Sequence, residues 1–284
     1  MIKLIALDID GTLLDDRGCI PQINKEFLKI AAQKHKVRIV LCTGRGASAF
    51  KIAKDLELPC SLISANGVYV FENPNFPPII KNYLTEAQKK ALIGFLDNNH
   101  FEIDYYIVLG YEQDFQMIYK ERTNYDSYFL SFVNGRKQFK PTYPAEKLSK
   151  FLEYPISHIG IVGKYEKLKK IKEILKTLEL NCNIILYYAS DNKEYAFLEV
   201  LNNDASKEKA LLQFMSYINI SPENLMSIGD NFNDVGMFKI SGISVAVANA
   251  PEEVKKAAKF VTSRTNNEGA VAEAIERFII KRDG

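Results

Sequence analysis

Leu4-Ile5-Ala6-Leu7-Asp8-Ile9-Asp10-Gly11-Thr12-Leu13-Leu14 is the stretch on which the fold turns. Its opening apolar residues, in unbroken series, read as a strand buried on both faces, the kind found in parallel sheets covered by helices. Two carboxylates one residue apart stand where that strand gives way to Gly11, which permits a tight turn. Ligands of open α/β sheets sit beyond the carboxyl ends of the strands. Side chains two positions apart share one face of an extended chain, so Asp8 and Asp10 can converge on a single reacting group. A pair of turn-capping Asx residues is the plain structural alternative.

Working outward, the same texture recurs. A helical segment from about Pro21 to His35 leads into the apolar run Val37–Cys42, which ends at Thr43-Gly44-Arg45. A helix over Ala47–Leu56 then precedes a short strand, Ser61–Ser64, ending at Ala65-Asn66-Gly67. Strands alternating with helices imply right-handed crossovers and a parallel sheet. The proline-rich loop Asn73–Pro78 breaks the pattern, and a domain border is expected near Asn82. Beyond it, helices are expected over 85–98, 145–152 and 166–178, with strands over 103–108, 115–119, 156–162, 182–189 and 195–200. Core-like texture resumes with helices over 206–217, 234–239, 251–259 and 268–281, and strands over 225–229, 243–247 and 260–262. The expected fold class is α/β: residues 1–81 and 201–284 form a parallel-sheet core, and residues 82–200 an inserted α/β unit.

Composition excludes several classes of function. Of 284 residues, 47% are hydrophobic and 25% charged, the balance of a globular protein with a sizeable core. Thirty-seven basic against thirty-five acidic residues leave a net charge of +2, so no global field argues for nucleic acid or an anionic membrane. An anionic ligand must be held locally. Cys19, Cys42, Cys60 and Cys182 lack the spacing of a zinc or redox motif and read as reduced. No signal peptide or membrane span is apparent, and a cytoplasmic location is expected. Oligomeric state is not read from the sequence.

A second acidic cluster, Gly229-Asp230-Asn231-Phe232-Asn233-Asp234, again lies where an apolar strand meets a loop. Together the clusters offer a hard oxygen set that suits Mg²⁺ better than zinc. His35, His100 and His158 lie away from every expected strand tip and read as structural or surface residues. Thr43 with the Gly44 amide, ahead of a helix, can donate hydrogen bonds to an anion such as a phosphoryl group. Lys207, opening a helix, can neutralise one.

These residues, in this order, resemble the four motifs of the haloacid dehalogenase-like superfamily: Asp8-Ile9-Asp10-Gly11-Thr12, the Thr43 tip, Lys207, and Gly229–Asp234. The insert after the third strand resembles the large α/β cap of the Cof-type, class IIB phosphatases, whose Thr-Gly-Arg and Ala-Asn-Gly motifs match residues 43–45 and 65–67. The likeness spans nearly the whole chain. It implies a Rossmann-like core and a Mg²⁺-dependent phosphatase of small phosphorylated metabolites, such as sugar phosphates or phosphorylated cofactors. Asp8 would be the nucleophile that forms an aspartyl-phosphate, and Asp10 the acid and base. Asp8, the Asp10 main-chain carbonyl and Asp230 would hold the metal, with Asp234 supporting. Thr12, Thr43, Gly44, Arg45, Asn66, Lys207 and Asn233 would surround the phosphoryl group or substrate. Two other functions fit the same motifs, a phosphosugar mutase or phosphotransferase and a non-catalytic phospholigand-binding regulator. The chain departs from the pattern at Glu208, where glycine is usual, and at Val247-Ala248-Asn249-Ala250, where Met-Gly-Asn-Ala is usual. Asn249 then either faces the site or is an ordinary loop residue.

Overall fold

The computed structural model describes residues 1–98, 102–138, 140–189 and 192–281, so His100 lies outside the described residues. The chain divides into two compact units, Met1–Lys81 with Ser206–Gly284, and Asn82–Ala205.

In the first unit, β1 (Leu4–Leu7), α1 (Gln22–Gln33), β2 (Arg38–Cys42), α2 (Ala49–Asp55) and β3 (Ser61–Ser64) follow one another as the apolar runs predict. Two strands not expected from sequence come next, β4 (Tyr69–Phe71) and β5 (Ile80–Lys81). They pair antiparallel as the sheet's end, where a short connection replaces a crossover helix.

The second unit holds α3 (Glu86–Asn98), β6 (Asp104–Leu109), β7 (Met117–Lys120), α4 (Ser127–Lys137), β8 (Thr142–Ala145), β9 (Ile156–Lys164), α5 (Tyr165–Lys176), β10 (Cys182–Tyr188) and β11 (Tyr195–Asn202). The chain then returns to the first unit with α6 (Lys207–Tyr217), β12 (Leu225–Gly229), α7 (Val235–Ile240), β13 (Ile243–Ala246), α8 (Glu252–Ala257), β14 (Phe260–Val261) and α9 (Ala270–Ile275).

The first sheet has the order β14-β13-β12-β1-β2-β3-β4-β5, parallel from β14 through β3. β1 is central and wholly buried, with Leu4 and Ala6 packed on one face against Ala210, Leu211 and Phe214 of α6 and Met237 of α7. Ile5 and Leu7 alternate to the opposite face. A mid-sheet strand buried on both sides explains the unbroken apolar run.

The second sheet, β10-β11-β9-β6-β7-β8, is antiparallel except between β7 and β8. Leu92, Ile93 and Leu96 of α3 and Leu168, Ile171 and Leu175 of α5 cover its Ile107, Ile159, Ile161 and Leu198. Aromatic side chains of α4 meet other sheet residues: Tyr128 stacks on Tyr195 at 4.5 Å, and Phe132 meets Tyr106 and Phe197.

Three sequence expectations change here. The helix expected over 145–152 shrinks to a single tight turn at Leu148–Phe151, and the edge strand β8 just before it was not expected. Pro144 is tolerated because β8 lies at the sheet edge. The helix α4 was not expected; the Asp126 carboxylate caps it by accepting from the Tyr128 amide at 2.8 Å. The border expected after Val200 falls inside β11. The Asn202 side chain donates to the Tyr83 carbonyl and that of Asn183 to the Ala205 carbonyl, each at 2.7 Å, which keeps the chain with the second unit through Ala205. Among the described residues, no helix is long and apolar enough to cross a membrane.

Candidate active site

Where β1 ends, the chain turns sharply. Gly11 has φ +76°, and a Cβ there would stand 2.5 Å from Asp230 Oδ2, so a side chain would force apart the loops after β1 and β12. The buried Thr12 hydroxyl donates to Asp230 Oδ1 at 2.8 Å and ties the same two loops.

Lys207 is brought in by the start of α6. The Ser206 side chain caps that helix by accepting from the Lys209 amide at 3.1 Å. Gly67, at φ +96°, lets the loop after β3 lie against it, since a Cβ there would stand 2.4 Å from the Ser206 carbonyl oxygen. Lys207 Nζ then donates to Asp8 Oδ1 at 2.5 Å and to Asp234 Oδ1 at 2.7 Å. Its side chain is 1% exposed, and those of Asp8 and Asp234 are 7% and 0% exposed. The other oxygen of Asp234 accepts from the Asp230 and Asn231 amides at 3.1 and 3.0 Å. With both oxygens engaged, Asp234 orients Lys207 and the Asp230 main chain.

Burial pushes the Asp8 carboxyl well above the usual carboxylate range, and Asp234 adds to this while Lys207 opposes it. Burial also raises Asp230; the Thr12 hydrogen bond counters it and the Asp234 charge reinforces it. Burial works against the Lys207 charge, but Asp234 and Asp8 outweigh it and hold the ammonium protonated. One ammonium thus serves three acids. Asp8, Asp230 and Asp234 each offer an oxygen within 4.8 Å of the others. A group of hard oxygens with excess negative charge in a buried setting fits a divalent cation such as Mg²⁺.

The tips of β2 and β3 form a second group. The buried Thr43 hydroxyl accepts from the Arg45 amide at 3.0 Å, and the Thr43 carbonyl accepts from the Asn66 amide at 3.0 Å. Gly44 lies against the Asn66 side chain, which a Cβ would approach to 3.1 Å. Asn66 Oδ1 accepts from Asn233 Nδ2 at 3.4 Å. Arg45 grips Asp10 with both arms of its guanidinium, Nε to Oδ2 at 2.7 Å and Nη2 to Oδ1 at 2.5 Å, and this hydrogen-bonding raises the Arg45 pKa.

The structure therefore brings Asp8, Thr12, Lys207, Asp230 and Asp234 together, and links Thr43, Gly44, Asn66 and Asn233 beside them. The Asp10 carboxylate, 55% exposed, turns to Arg45 and not to the acid triplet. Glu208 points its carboxylate at α7, where Gly236 makes room for it; a Cβ on Gly236 would stand 2.7 Å from Glu208 Oε2. Asn249 donates to the Gly11 carbonyl at 2.8 Å, so it supports the loop of the two candidate carboxylates. His158 lies within β9, its Nδ1 2.7 Å from Ser157 Oγ.

Sequence reasoning missed Asn24 and Asn266, whose side chains donate to the Leu13 and Leu14 carbonyls. A signal existed for Asn24. It shares the buried stripe of α1 with Leu28 and Ala31, where a polar residue calls for a partner.

Known proteins resemble the chain over nearly its whole length. The family model described as haloacid dehalogenase-like hydrolase matches residues 5–275. Two Bacillus subtilis (strain 168) proteins, the 5-amino-6-(5-phospho-D-ribitylamino)uracil phosphatases YcsE and YwtE, are 30% and 28% identical to the chain. The first match covers 98% of this chain and 96% of YcsE, the second 98% of both this chain and YwtE. The solved structure of the haloacid dehalogenase subclass IIB sugar phosphatase BT4131 shares the fold, with a TM-score of 0.75 at 23% identity over 97% of this chain and 98% of that one. The chain belongs to the haloacid dehalogenase-like hydrolase family. Within it, the protein is an enzyme of the phosphatase class.

Proposed function

We propose that the protein is a Mg²⁺-dependent phosphatase of small phosphomonoesters that works through an aspartyl-phosphate. One observation carries this reading: a buried lysine bridges Asp8 and Asp234 at 2.5 and 2.7 Å, with Asp230 completing a cluster of oxygens beside it. Mg²⁺, held by Asp8, Asp230 and the Asp10 main-chain carbonyl with Asp234 behind, would offset the repulsion between an attacking carboxylate and a phosphate dianion.

In the first step an Asp8 oxygen attacks phosphorus, the ester P–O bond breaks, and the leaving alkoxide takes a proton from Asp10. In the second, Asp10 removes a proton from water, which attacks the phosphorus and releases the Asp8 carboxylate and inorganic phosphate. Splitting the reaction in two lowers both barriers. The Lys207 ammonium stabilises the charge gathering on the phosphoryl oxygens and holds Asp8 in line. The Thr43 and Gly44 tip supplies further donors. Arg45, which holds both Asp10 oxygens in this structure, must release one of them before that carboxyl can donate its proton.

The phosphoribitylaminouracil phosphatases among the relatives support a substrate of the same size, a phosphorylated sugar or polyol, carried alone or on a small ring. The test is phosphate release from a panel of sugar, polyol and cofactor phosphates, with Mg²⁺ and with chelator. Release only with Mg²⁺ supports the reading, and silence across the panel overturns it. In the same assay Asp10→Asn should lower turnover by roughly 10²- to 10⁴-fold, the range of positioned proton transfer.

A further inference from the structure

The ladder of β1 runs out at the Asp8 amide, which donates to the Ile228 carbonyl at 3.0 Å. From there to Leu14 the chain follows an irregular turn, with Asp10 extended (ψ 124°) and Gly11 left-handed (φ +76°). Three carbonyls of this turn accept from three asparagine side chains, one from the following helix α1 and two from near the other end of the chain. Asn249 donates to Gly11 O at 2.8 Å, Asn24 to Leu13 O at 3.4 Å and Asn266 to Leu14 O at 3.0 Å.

Two of the amides are anchored at their other end, and the third shares its donor with a second acceptor. Asn24 Oδ1 accepts from the Ala272 amide of α9 at 3.1 Å, and Asn249 Oδ1 accepts from the Asn266 amide at 2.9 Å. Asn266 Nδ2 also donates to Asp16 Oδ1 at 3.1 Å. Asn24 is 0% and Asn266 3% exposed. A buried amide is costly unless its partners stand in fixed places, so a satisfied network of this kind selects one backbone path. The turn so fixed carries Asp8 at its entry and Asp10 within it.

We propose that Asn24, Asn249 and Asn266 are positioning residues for the Asp8–Asp10 turn, acting through its main chain and touching neither the reacting atoms nor a metal ligand's side chain. The inference rests on the phosphatase reading for its catalytic consequence, while the clamp itself is independent of it. The side chains of Asp8 and Asp10 are already held by Lys207 and Arg45. What the asparagines add is the relative placement of the two Cα atoms, on which the sharing of one phosphoryl group depends.

The test uses Asn249→Ala, at an exposed position where the fold should survive, and Asn266→Ala, at the buried one. Steady-state kinetics on p-nitrophenyl phosphate with Mg²⁺ are paired with amide hydrogen exchange over residues 8–16. The expected result is a fall in kcat of roughly ten- to hundredfold, the scale of small misplacements remote from the chemistry, with KM within about twofold. Exchange should quicken over 8–16 and stay unchanged in α6 and β12. Unchanged kcat per folded molecule in Asn249→Ala, whatever the melting temperature, overturns the proposal, as does unchanged exchange over 8–16. If wild-type protein releases no phosphate from any substrate, the phosphatase reading fails instead. Exchange together with calorimetric Mg²⁺ affinity then decides the clamp: faster exchange with weaker Mg²⁺ binding in Asn249→Ala sustains it, and no change in either overturns it.

Discussion

The two units bury charge in opposite ways. In the inserted unit each buried ion is answered locally: Asp104 accepts from Arg122 at 3.0 Å and from the Asp126 amide at 2.9 Å, and Lys89 donates to the Leu152 and Tyr154 carbonyls at 2.7 and 3.0 Å. In the sheet core, one lysine faces Asp8 and Asp234 directly and a third acid, Asp230, lies within the same few ångströms. Balanced burial gives rigidity, as in any well-satisfied polar network. Unbalanced burial costs stability, and it persists where a ligand or ion is to complete it. The difference separates a scaffold from a site without appeal to any relative.

The sharpest way to break this contrast is Asp8→Asn. Turnover should fall by at least about 10⁴-fold, the scale seen when a covalent nucleophile is removed. Stability should not fall with it. Asp8 holds its proton more tightly folded than unfolded, so its contribution to stability is present at low pH and is lost as pH rises through the raised folded value. Without Mg²⁺ at alkaline pH, the variant should melt no lower than wild type in calorimetry; a large drop would mean that the core charges are as balanced as those of the insert.

A second test addresses the insert alone. Tyr106 lies across Gly160 of β9 so closely that a Cβ would stand 2.1 Å from its ring. Gly160→Ala should destabilise that unit by about 1–3 kcal/mol through overpacking. Calorimetric Mg²⁺ affinity should stay at the wild-type value. If it drops in parallel, the two units do not store their energy separately.

The most gradual effect concerns His158. Burial pushes its pKa down to about 3, with Arg136 adding to the shift, from an ordinary value of 6.5. A base depressed in the folded state gives stability that is complete above about 6.5 and lost as pH falls toward 3, on the order of 1 kcal/mol per pH unit. His158→Gln should flatten this acid slope in urea titrations, a difference from wild type of about 2–3 kcal/mol accumulated between pH 7 and pH 4.

The same contrast governs what could be read from the amino acids. The parallel core strands were legible because a strand buried on both faces takes mainly apolar residues, and because acids and threonine stand at their tips. Val37–Cys42 and Leu225–Gly229 announce themselves in this way. The insert was harder. Its Tyr128, Phe129 and Phe132 serve a helix as readily as a strand, and Pro144 suggests a break where an edge strand runs. Within the site, the clustering of Asp8, Lys207, Asp230 and Asp234 was inferable from motif order, but the turn of Asp10 toward Arg45 was not, since spacing fixes a backbone position and not a rotamer. The supporting roles of Asn249 and Asn266 were hidden for a similar reason: their partners are main-chain carbonyls, which leave no mark in the sequence, whereas Asn24 is marked by its place on the buried face of α1.

The place of β1 in its sheet has a consequence for biosynthesis. Its neighbour β2 follows closely, but its other neighbour, β12, is Leu225–Gly229. The whole contiguous insert, Asn82–Ala205, leaves the ribosome between them. At about 5–20 residues per second, the open edge of β1 waits roughly 10 to 40 seconds for its partner. Lys207 and Asp230 arrive in that same last stretch, so under the proposed mechanism a nascent chain carries Asp8 long before it can use it. On that mechanism folding intermediates that lack β12 are catalytically silent, and the exposed strand edge is where a chaperone would be needed.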